Sequence, residues 1–168
     1  MLETFNFESE RLKTTPLIKE DAQVLFQMYS DEEAMQYRGS NAMETLEEAF
    51  EMIKRQSSIE GELFKLRLAI RNKLNHDLIG TLLLSRDKNR HHQVEIGFSF
   101  GKNHWGKGYG QETLKMVEEN LKAANEIREI TAWCIKENSA SVKIFEKTGY
   151  SLVDQSEYPQ SHLFLKTI

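Results

Sequence analysis

One continuous stretch of the sequence decides the fold, and it reads Gln93-Val94-Glu95-Ile96-Gly97-Phe98-Ser99-Phe100-Gly101-Lys102-Asn103-His104-Trp105-Gly106-Lys107-Gly108-Tyr109-Gly110-Gln111. Residues 93–100 alternate in character, which predicts a half-buried β-strand. Apolar residues then recur at helical spacing over residues 113–121, which predicts a long helix. Glycines at a helix start let the backbone approach a ligand, and the free N–H groups there bind phosphate. The stretch therefore predicts an anion site between a strand and a helix, with a simple tight turn as the alternative.

The composition limits the class of protein. The chain has 168 residues, with 22 Lys and Arg against 26 Asp and Glu and a net charge of −4. This length predicts one domain over residues 1–168, and the charge gives no general attraction to nucleic acid. The single cysteine, Cys134, disfavours a disulfide framework or a zinc site and favours a reducing, cytoplasmic setting. We expect no signal peptide and no membrane span, because no apolar run approaches ~20 residues.

The flanking segments predict a mixed α/β order whose first half is antiparallel. Residues 64–70 and 78–84 predict strands, and the polar segments that follow them are short enough for hairpins. Residues 127–135 predict a strand and residues 139–148 a helix that Gly149 ends. The other predicted elements are a strand at 11–17, a helix from Ala22 to near Ser30, capping boxes at Ser30/Glu33 and Thr45/Glu48, and closing strands at 150–153 and 163–165.

Two common nucleotide-binding motifs are missing from the glycine-rich stretch. No Gly-Lys-Ser or Gly-Lys-Thr sequence is present that would form a P-loop. The dinucleotide motif requires a third glycine three residues after Gly108, and that position holds Gln111. The predicted phosphate site therefore belongs to another kind of ligand.

Three segments together form a more specific pattern. They are Val94-Glu95-Ile96-Gly97-Phe98, Trp105-Gly106-Lys107-Gly108-Tyr109-Gly110 and Asn138-Ser139-Ala140-Ser141-Val142-Lys143-Ile144-Phe145-Glu146-Lys147-Thr148-Gly149-Tyr150. In this order and spacing they resemble the acetyl-CoA motifs of the GNAT N-acetyltransferase superfamily. The resemblance is greatest to the branch that acetylates the N-terminal residues of ribosomal proteins. Glu10-Arg11-Leu12 and Lys19-Glu20-Asp21-Ala22 resemble the same branch, so the match covers nearly the whole chain.

The resemblance implies a central, twisted, mixed and mainly antiparallel sheet that is splayed in its middle and flanked by helices. The splay would separate the strand at 93–100 from the strand at 127–135 and would hold acetyl-CoA, the cosubstrate that leaves as CoA. Pantetheine would pair with the backbone around Phe98, Ser99 and Phe100 like an added strand.

The resemblance also assigns the remaining cofactor contacts. The pyrophosphate would bind backbone N–H groups of Trp105, Gly106, Lys107, Gly108, Tyr109, Gly110 and Gln111. The later motif would contribute Asn138, Ser141, Phe145 and Lys147. Many relatives have Gln or Arg where this chain has Trp105, but a site built from main-chain N–H groups stays workable after that change.

Two residues are candidates for the acetyl-transfer chemistry. A neutral amine must attack the thioester, and the leaving thiolate must be protonated. Glu95, on the strand face opposite Val94 and Ile96, is the candidate base, acting directly or through a water, with a solvent-facing glutamate as the alternative. Ser141 is the candidate donor to the thiolate, because the resemblance to the ribosomal-protein branch implies a serine near the sulfur at this place. Phe145 stands where several branches have a tyrosine acid and has no proton to give. A simple helix cap is the alternative for Ser141.

Neither Cys134 nor the histidines predict another catalytic route. Direct attack in a ternary complex is favoured over a covalent route through Cys134, which lies in an apolar strand with no paired base near it in sequence. The five histidines lack metal-ligand spacing, so no catalytic metal is expected. The resemblance implies a homodimer in many branch members, and we expect exposed aromatic residues such as Phe5, Phe7 or Tyr158 at its edge.

The sequence does not decide the chemical class of the acceptor amine. The resemblance to the ribosomal-protein branch implies a protein N-terminus, and the alternatives are a small amine, polyamine, amino acid or aminoglycoside. A non-catalytic protein that senses acetyl-CoA is a further alternative. Acidic residues outnumber basic ones over residues 31–60, which favours a cationic acceptor unless these side chains only make the helices soluble. No nucleic-acid or membrane partner is expected.

Overall fold

The central strand of the fold is β5 (Gln93–Phe100), and its burial follows its sequence alternation. The computed structural model describes residues 6–60, 63–153 and 158–168. Val94, Ile96 and Phe100 are buried, whereas Glu95 is exposed to solvent. Because successive side chains of a strand point to opposite faces, β5 turns its apolar side to the core and Glu95 to the other face. The predicted strand at 93–100 is confirmed.

Eight strands in the described residues form one mixed sheet. They are β1 (Leu12–Thr15), β2 (Ser57–Glu60), β3 (Leu63–Asn72), β4 (Leu78–Asp87), β5, β6 (Glu129–Ile135), β7 (Ser151–Val153) and β8 (Ser161–Thr167). Their order is β1-β3-β4-β5-β6-β8-β7, and β2 pairs with β3. All pairs are antiparallel except β5 with β6. This parallel pairing is limited to residues 93–95 against residues 129–131, so the two strands separate beyond it and the predicted splay is confirmed.

Helices cover both faces of the sheet. They are α1 (Ala22–Ser30), α2 (Glu32–Met35), α3 (Leu46–Lys54), α4 (Tyr109–Ala124) and α5 (Ser139–Lys147). Residues of α4 and α5 share a buried cluster with Val94, Ile96 and Ile130, while α1 and α3 pack on Ala69 at the opposite face. In the described ranges no helix combines the length and the apolar character needed to cross a bilayer.

The helix starts agree with one of the two predicted capping boxes. At α3 the Glu48 carboxylate accepts a hydrogen bond of 2.8 Å from the Thr45 N–H, as predicted. The prediction of Ser30 as the cap of α2 is wrong. Asp31 is the cap, because its carboxylate accepts a hydrogen bond of 2.9 Å from the Ala34 N–H. A carboxylate one residue later serves the same purpose and adds favourable negative charge at the positive end of the helix.

Two further details differ from the predictions. Strand β2, which pairs with β3, was not predicted, because its short Ser-Ser-Ile-Glu sequence has little of the alternation that marks a strand. Phe7 was expected to be an exposed aromatic residue at a dimer edge, and this is wrong. It is 3% exposed in the main core, while its backbone N–H donates to the Thr14 hydroxyl. Tyr158 is exposed, as expected, and Phe5 lies outside the described residues.

Candidate active site

The separation of β5 from β6 leaves a gap along which one side of β5 is not paired with another described strand. Residues 95–100 of β5 pair with β4 on one side. On the other side, residues 96–100 have no strand partner among the described residues. An extended chain that carries amide groups can pair with such an edge as a strand would. Phe98, Ser99 and Phe100 all lie on this edge.

The glycine loop meets the same end of the gap. Gly106 and Gly108 have φ angles of +71° and +79°, a conformation that glycine adopts without strain. A Cβ added at Gly106 would meet no atom within 4 Å, so its outer side is open. Helix α4 begins at Tyr109, and its N-cap Gly108 supplies no side-chain acceptor for the first N–H groups. Backbone N–H groups at the start of a long helix, beside an open glycine surface, form a site for a phosphate or pyrophosphate.

Two contacts attach this loop to the sheet. The Trp105 indole N–H donates a 2.9 Å hydrogen bond to the Phe100 carbonyl, which ties the loop start to the end of β5. A Cβ added at Gly110 would lie 2.9 Å from the end of the Ile144 side chain and 3.2 Å from the Phe98 ring, so α4 packs closely here and a larger residue would require Ile144 to shift. The side chain at position 105 therefore has a structural contact of its own, which accounts for a tryptophan at this place.

Arg11 and Glu112 form an ion pair that holds the loop from the outside. The Arg11 Nε donates to Glu112 at 2.7 Å, and the terminal guanidinium nitrogen of Arg11 lies 2.6 Å from the same carboxylate. That nitrogen also donates to the Lys107 carbonyl at 3.1 Å, and the guanidinium stacks on the Tyr109 ring. Burial raises the pKa of Glu112, but hydrogen bonds from Ser9 and Arg11 outweigh it and keep that pKa below its usual value.

Helix α5 begins at the same edge of the sheet as α4, because β5 and β6 run parallel. Asn138 is its N-cap and accepts a 3.2 Å hydrogen bond from the Ser141 N–H. Asn138, and not the Ser141 hydroxyl, therefore caps the helix, and the alternative reading of Ser141 as the cap is wrong. The Ser141 hydroxyl lies near the Cys134 thiol, where it opposes a rise of the thiol pKa.

Cys134 and Phe145 lie behind the gap, in the core. Burial raises the pKa of Cys134 to about 11, which leaves the thiol neutral and a poor nucleophile. Phe145 is 4% exposed, with its ring 6.0 Å from Phe98 and 5.1 Å from Phe164. This packing favours an indirect role in which Phe145 positions Phe98. Lys147 is exposed in the last turn of α5, about 9 Å along the axis from Ser141.

Glu95 stands where the two strands diverge. It pairs with Thr131 in the last matched position of β5 and β6 and lines a concavity of about 210 Å³ together with Ser85, Trp133 and Leu163. The surrounding protein atoms partly desolvate the carboxylate and raise the pKa of Glu95, although its side chain still contacts solvent. The Lys65 charge and the Trp133 indole N–H oppose that rise. A carboxylate with an elevated pKa is suited to proton transfer near neutral pH.

Several of these residues were not predicted. Strand pairing between distant segments brings Lys65 and Trp133 to Glu95, and no local pattern marks them. Glu112 follows the glycine loop directly, but its contact with Arg11 joins residues 101 positions apart. Lys102 precedes the glycine loop, and its ammonium group pairs with Asp31 and Glu33 at the start of α2, which no local pattern indicates.

Comparisons with known proteins agree with this geometry. A family model described as an acetyltransferase (GNAT) domain matches residues 11–151. The uncharacterized N-acetyltransferase YoaA of Bacillus subtilis is 28% identical over 143 residues, which cover 85% of this chain and 81% of that protein. A GNAT acetyltransferase structure from Bacillus anthracis has a TM-score of 0.82 at 18% identity and covers 96% of this chain and 98% of its own.

A structure with bound ligands shares the same fold. Spermidine N-acetyltransferase from Vibrio cholerae, solved in complex with CoA and spermine, has a TM-score of 0.76 at 16% identity, with 95% of this chain and 96% of that chain covered. The family model extends from the residue before β1 to the first residue of β7 and includes the gap, the glycine loop and both helix starts. The protein is thus a member of the GNAT family of acetyltransferases.

Proposed function

We propose that this protein transfers the acetyl group of acetyl-CoA to the nitrogen of a primary amine, by direct attack in a ternary complex. The proposal depends mainly on the gap between the parallel strands β5 and β6. The N-termini of α4 and α5 lie at its open end, and the Glu95 carboxylate lies at its closed end. The chain belongs to an acetyltransferase family, which favours this chemistry over nucleotide binding.

The chain offers suitable groups for each part of acetyl-CoA. The unpaired edge of β5 at Phe98, Ser99 and Phe100 would bind the pantetheine amides, and Asn138 would add a side-chain amide from α5. Backbone N–H groups from Gly106 to Gln111 would bind the pyrophosphate, with Lys107 as added positive charge. The Trp105 N–H, predicted as part of this set, instead donates a 3.1 Å hydrogen bond to the Lys102 carbonyl. Bound in this way, acetyl-CoA supplies an activated acetyl group whose C–S bond breaks as the C–N bond forms.

Two side chains of the protein would move the protons. An ammonium group must lose one proton before it attacks and a second after the C–N bond forms, and Glu95 would accept a proton directly or through a water. Ser141 would donate a hydrogen bond to the departing thiolate, whose basicity resembles that of a cysteine side chain with a pKa of about 8.5. The neutral, buried thiol of Cys134 supports direct attack over an acetyl-cysteine route.

Ser141→Ala is expected to lower kcat by roughly 10- to 100-fold, while acetyl-CoA affinity stays near the wild-type value. The loss is moderate because a thiolate is a good leaving group and needs only partial help. A thiol-release assay measures kcat, and Ser139→Ala at the exposed start of α5 is the matched control. An unchanged kcat in Ser141→Ala would remove Ser141 from the mechanism.

Arg11→Gln and Glu112→Gln are each expected to raise KM for acetyl-CoA by about two- to fivefold, the size expected for a half-exposed ion pair. The reason is that their pairing holds the Lys107 carbonyl and the start of α4 in place. The double variant should be no worse than either single one, because the two side chains act as one unit. Lys115→Gln, from an exposed pair on the same helix, is the control, and additive effects would contradict this role.

The acceptor class is the least constrained part of the proposal. A protein N-terminus, by resemblance to the ribosomal-protein branch, stays a prediction, and small amines are the alternative. A sensor that only binds acetyl-CoA has no need of a carboxylate with a raised pKa at the end of the gap, so Glu95 favours catalysis.

Calorimetry with acetyl-CoA, CoA, ATP and NAD tests the proposed function without knowledge of the acceptor. We expect binding of acetyl-CoA and CoA in preference to the two other nucleotides. The same titrations of Gly108→Val, which forces a side chain into a backbone with φ of +79°, should show weaker CoA binding. Preference for ATP or NAD would contradict the proposal.

A further inference from the structure

Two arginine side chains lie on the sheet face that carries Glu95, and both contact Tyr29 of α1. The Arg38 guanidinium stacks on the Tyr29 ring at 4.4 Å, and the Arg67 guanidinium lies 5.9 Å from the same ring. Arg67 also donates a 3.0 Å hydrogen bond to the Tyr29 hydroxyl, which is itself 2.7 Å from the Thr81 hydroxyl. Tyr29 thus holds two half-buried positive charges together.

Strand register places Arg67 two strands from the gap, and Arg38 lies next to it through their shared contact with Tyr29. Arg67 on β3 pairs with Leu83 on β4, and Leu83 pairs with Gly97 on β5. Paired residues share a face, and neighbouring strands lie about 4.8 Å apart, so the Arg67 Cα is roughly 10 Å from that of Gly97. Glu95 is two residues from Gly97 on the same face. An acceptor whose nitrogen approaches Glu95 and whose chain runs along this face in the direction of Gly97 would reach Arg67 and its neighbour Arg38.

Within the described ranges, these two guanidinium groups have no carboxylate partner of the kind that half-buried arginines normally have. The contacts found for them among the described residues are with Tyr29 and Thr81, both neutral, and one terminal nitrogen of Arg38 is buried without a hydrogen-bond partner. Burial and the nearby Arg67 charge both lower the pKa of Arg38, and Tyr29 opposes them. A buried donor without a partner is costly and uncommon, so a bound oxyanion is the natural way to satisfy it.

We propose that the acceptor amine carries an oxyanion group, a carboxylate or a phosphate, that binds Arg38 and Arg67 while its nitrogen faces Glu95. The planar guanidinium fork suits both of these oxyanions. This inference rests on the proposed acetyltransfer and makes the acceptor class more specific. It also disfavours polyamines, because two positive charges in the acceptor site repel a polycation.

A matched series of amines tests the inference in the thiol-release assay. The probes are ω-amino acids of increasing length, O-phosphoethanolamine, the uncharged amides of the same amino acids, and linear diamines. We expect kcat/KM for an anionic amine to exceed that for its uncharged match by at least about tenfold, as a charge-assisted hydrogen bond provides. Comparison of the amino acids with O-phosphoethanolamine tells carboxylate from phosphate, and either preference supports the inference.

Variants assign the preference to the arginines. Arg38→Gln is expected to reduce the ratio of anionic to uncharged kcat/KM to within about threefold of one, and Arg38→Lys should retain only part of it. Arg55→Gln, an exposed arginine paired with Glu51 at the end of α3, should keep the wild-type ratio. Thermal unfolding of each variant verifies that the fold is intact. Equal or better turnover of uncharged or cationic amines, unaffected by Arg38→Gln, would overturn the inference and leave the proposed function standing.

A failure of the proposed acetyl transfer can be told apart from a failure of the oxyanion inference. If acetyl-CoA binds but no amine releases thiol, the proposed function fails, and calorimetry of the anionic amines with the CoA complex then decides the inference. Binding that is lost in Arg38→Gln but kept in Arg55→Gln supports the arginine site. Binding that is absent, or equal in both variants, overturns it.

Discussion

Glu95→Gln is expected to lower kcat by about 100- to 10,000-fold, the usual range for the loss of a general base. The amide of glutamine matches the carboxylate in shape but cannot accept the proton of the amine. Acetyl-CoA affinity should stay within about twofold, because the expected cofactor groups are backbone groups of the β5 edge and the glycine loop. Steady-state thiol release and calorimetry measure the two quantities on the same preparation.

The pH dependence of kcat/KM is a second test of Glu95 as the base. Desolvation raises the pKa of Glu95, and the base works only when deprotonated, so kcat/KM should fall as pH decreases through this raised pKa. The part of the acidic limb that belongs to Glu95 should disappear in Glu95→Gln, whereas the part caused by protonation of the amine should remain. Lys65→Met should move the limb to higher pH, because the Lys65 charge lowers the pKa of Glu95.

A control separates this role from a general effect of surface charge. Glu129→Gln removes a half-buried carboxylate from the neighbouring strand β6, where it accepts a hydrogen bond from Gln93. It should leave both kcat and the acidic limb nearly unchanged. A wild-type kcat in Glu95→Gln would contradict the role as a base and would support the alternative, in which Glu95 is only a solvent-facing residue of the strand.

Phe164→Ala is expected to lower the free energy of unfolding by about 3–5 kcal/mol, as for other large core truncations. Phe164 is 2% exposed, and its ring stacks on Phe145 at 5.1 Å. Phe145 in turn contacts Phe98 and Tyr150, so the cavity would open behind the wall of the gap. Urea denaturation monitored by circular dichroism measures the change through the midpoint at constant m-value.

The neighbouring edge strand supplies a matched control for Phe164. Leu152 on β7 is in register with Phe164 but is 57% exposed. Leu152→Ala should cost less than about 1 kcal/mol, because little apolar area is removed from a buried environment. A loss below about 1 kcal/mol in Phe164→Ala would show that the pair of stacked rings does not stabilise the core.

Local patterns predicted the parts of the fold that depend on neighbouring residues. The alternation over residues 93–100 and the helical spacing after Gly110 both produced elements that the structure contains. Gly149, with a φ of +83°, ends the region of α5 as expected of a glycine after a helix. The same approach placed the α2 cap at Ser30 because two adjacent side chains, Ser30 and Asp31, could each serve, and the spacing alone does not choose between them.

The sequence by itself determined that this chain has a strand, a glycine loop and a helix in the order that makes a phosphate site, and that Glu95 leaves the strand on the face opposite the core. Only the tertiary structure decided that β5 and β6 part after Glu95, that Arg11 holds the loop through Glu112, and that Arg38 and Arg67 meet at Tyr29. The physical reason is that periodicity and turn chemistry act between close neighbours, whereas these contacts join segments that only sheet register and helix packing bring together.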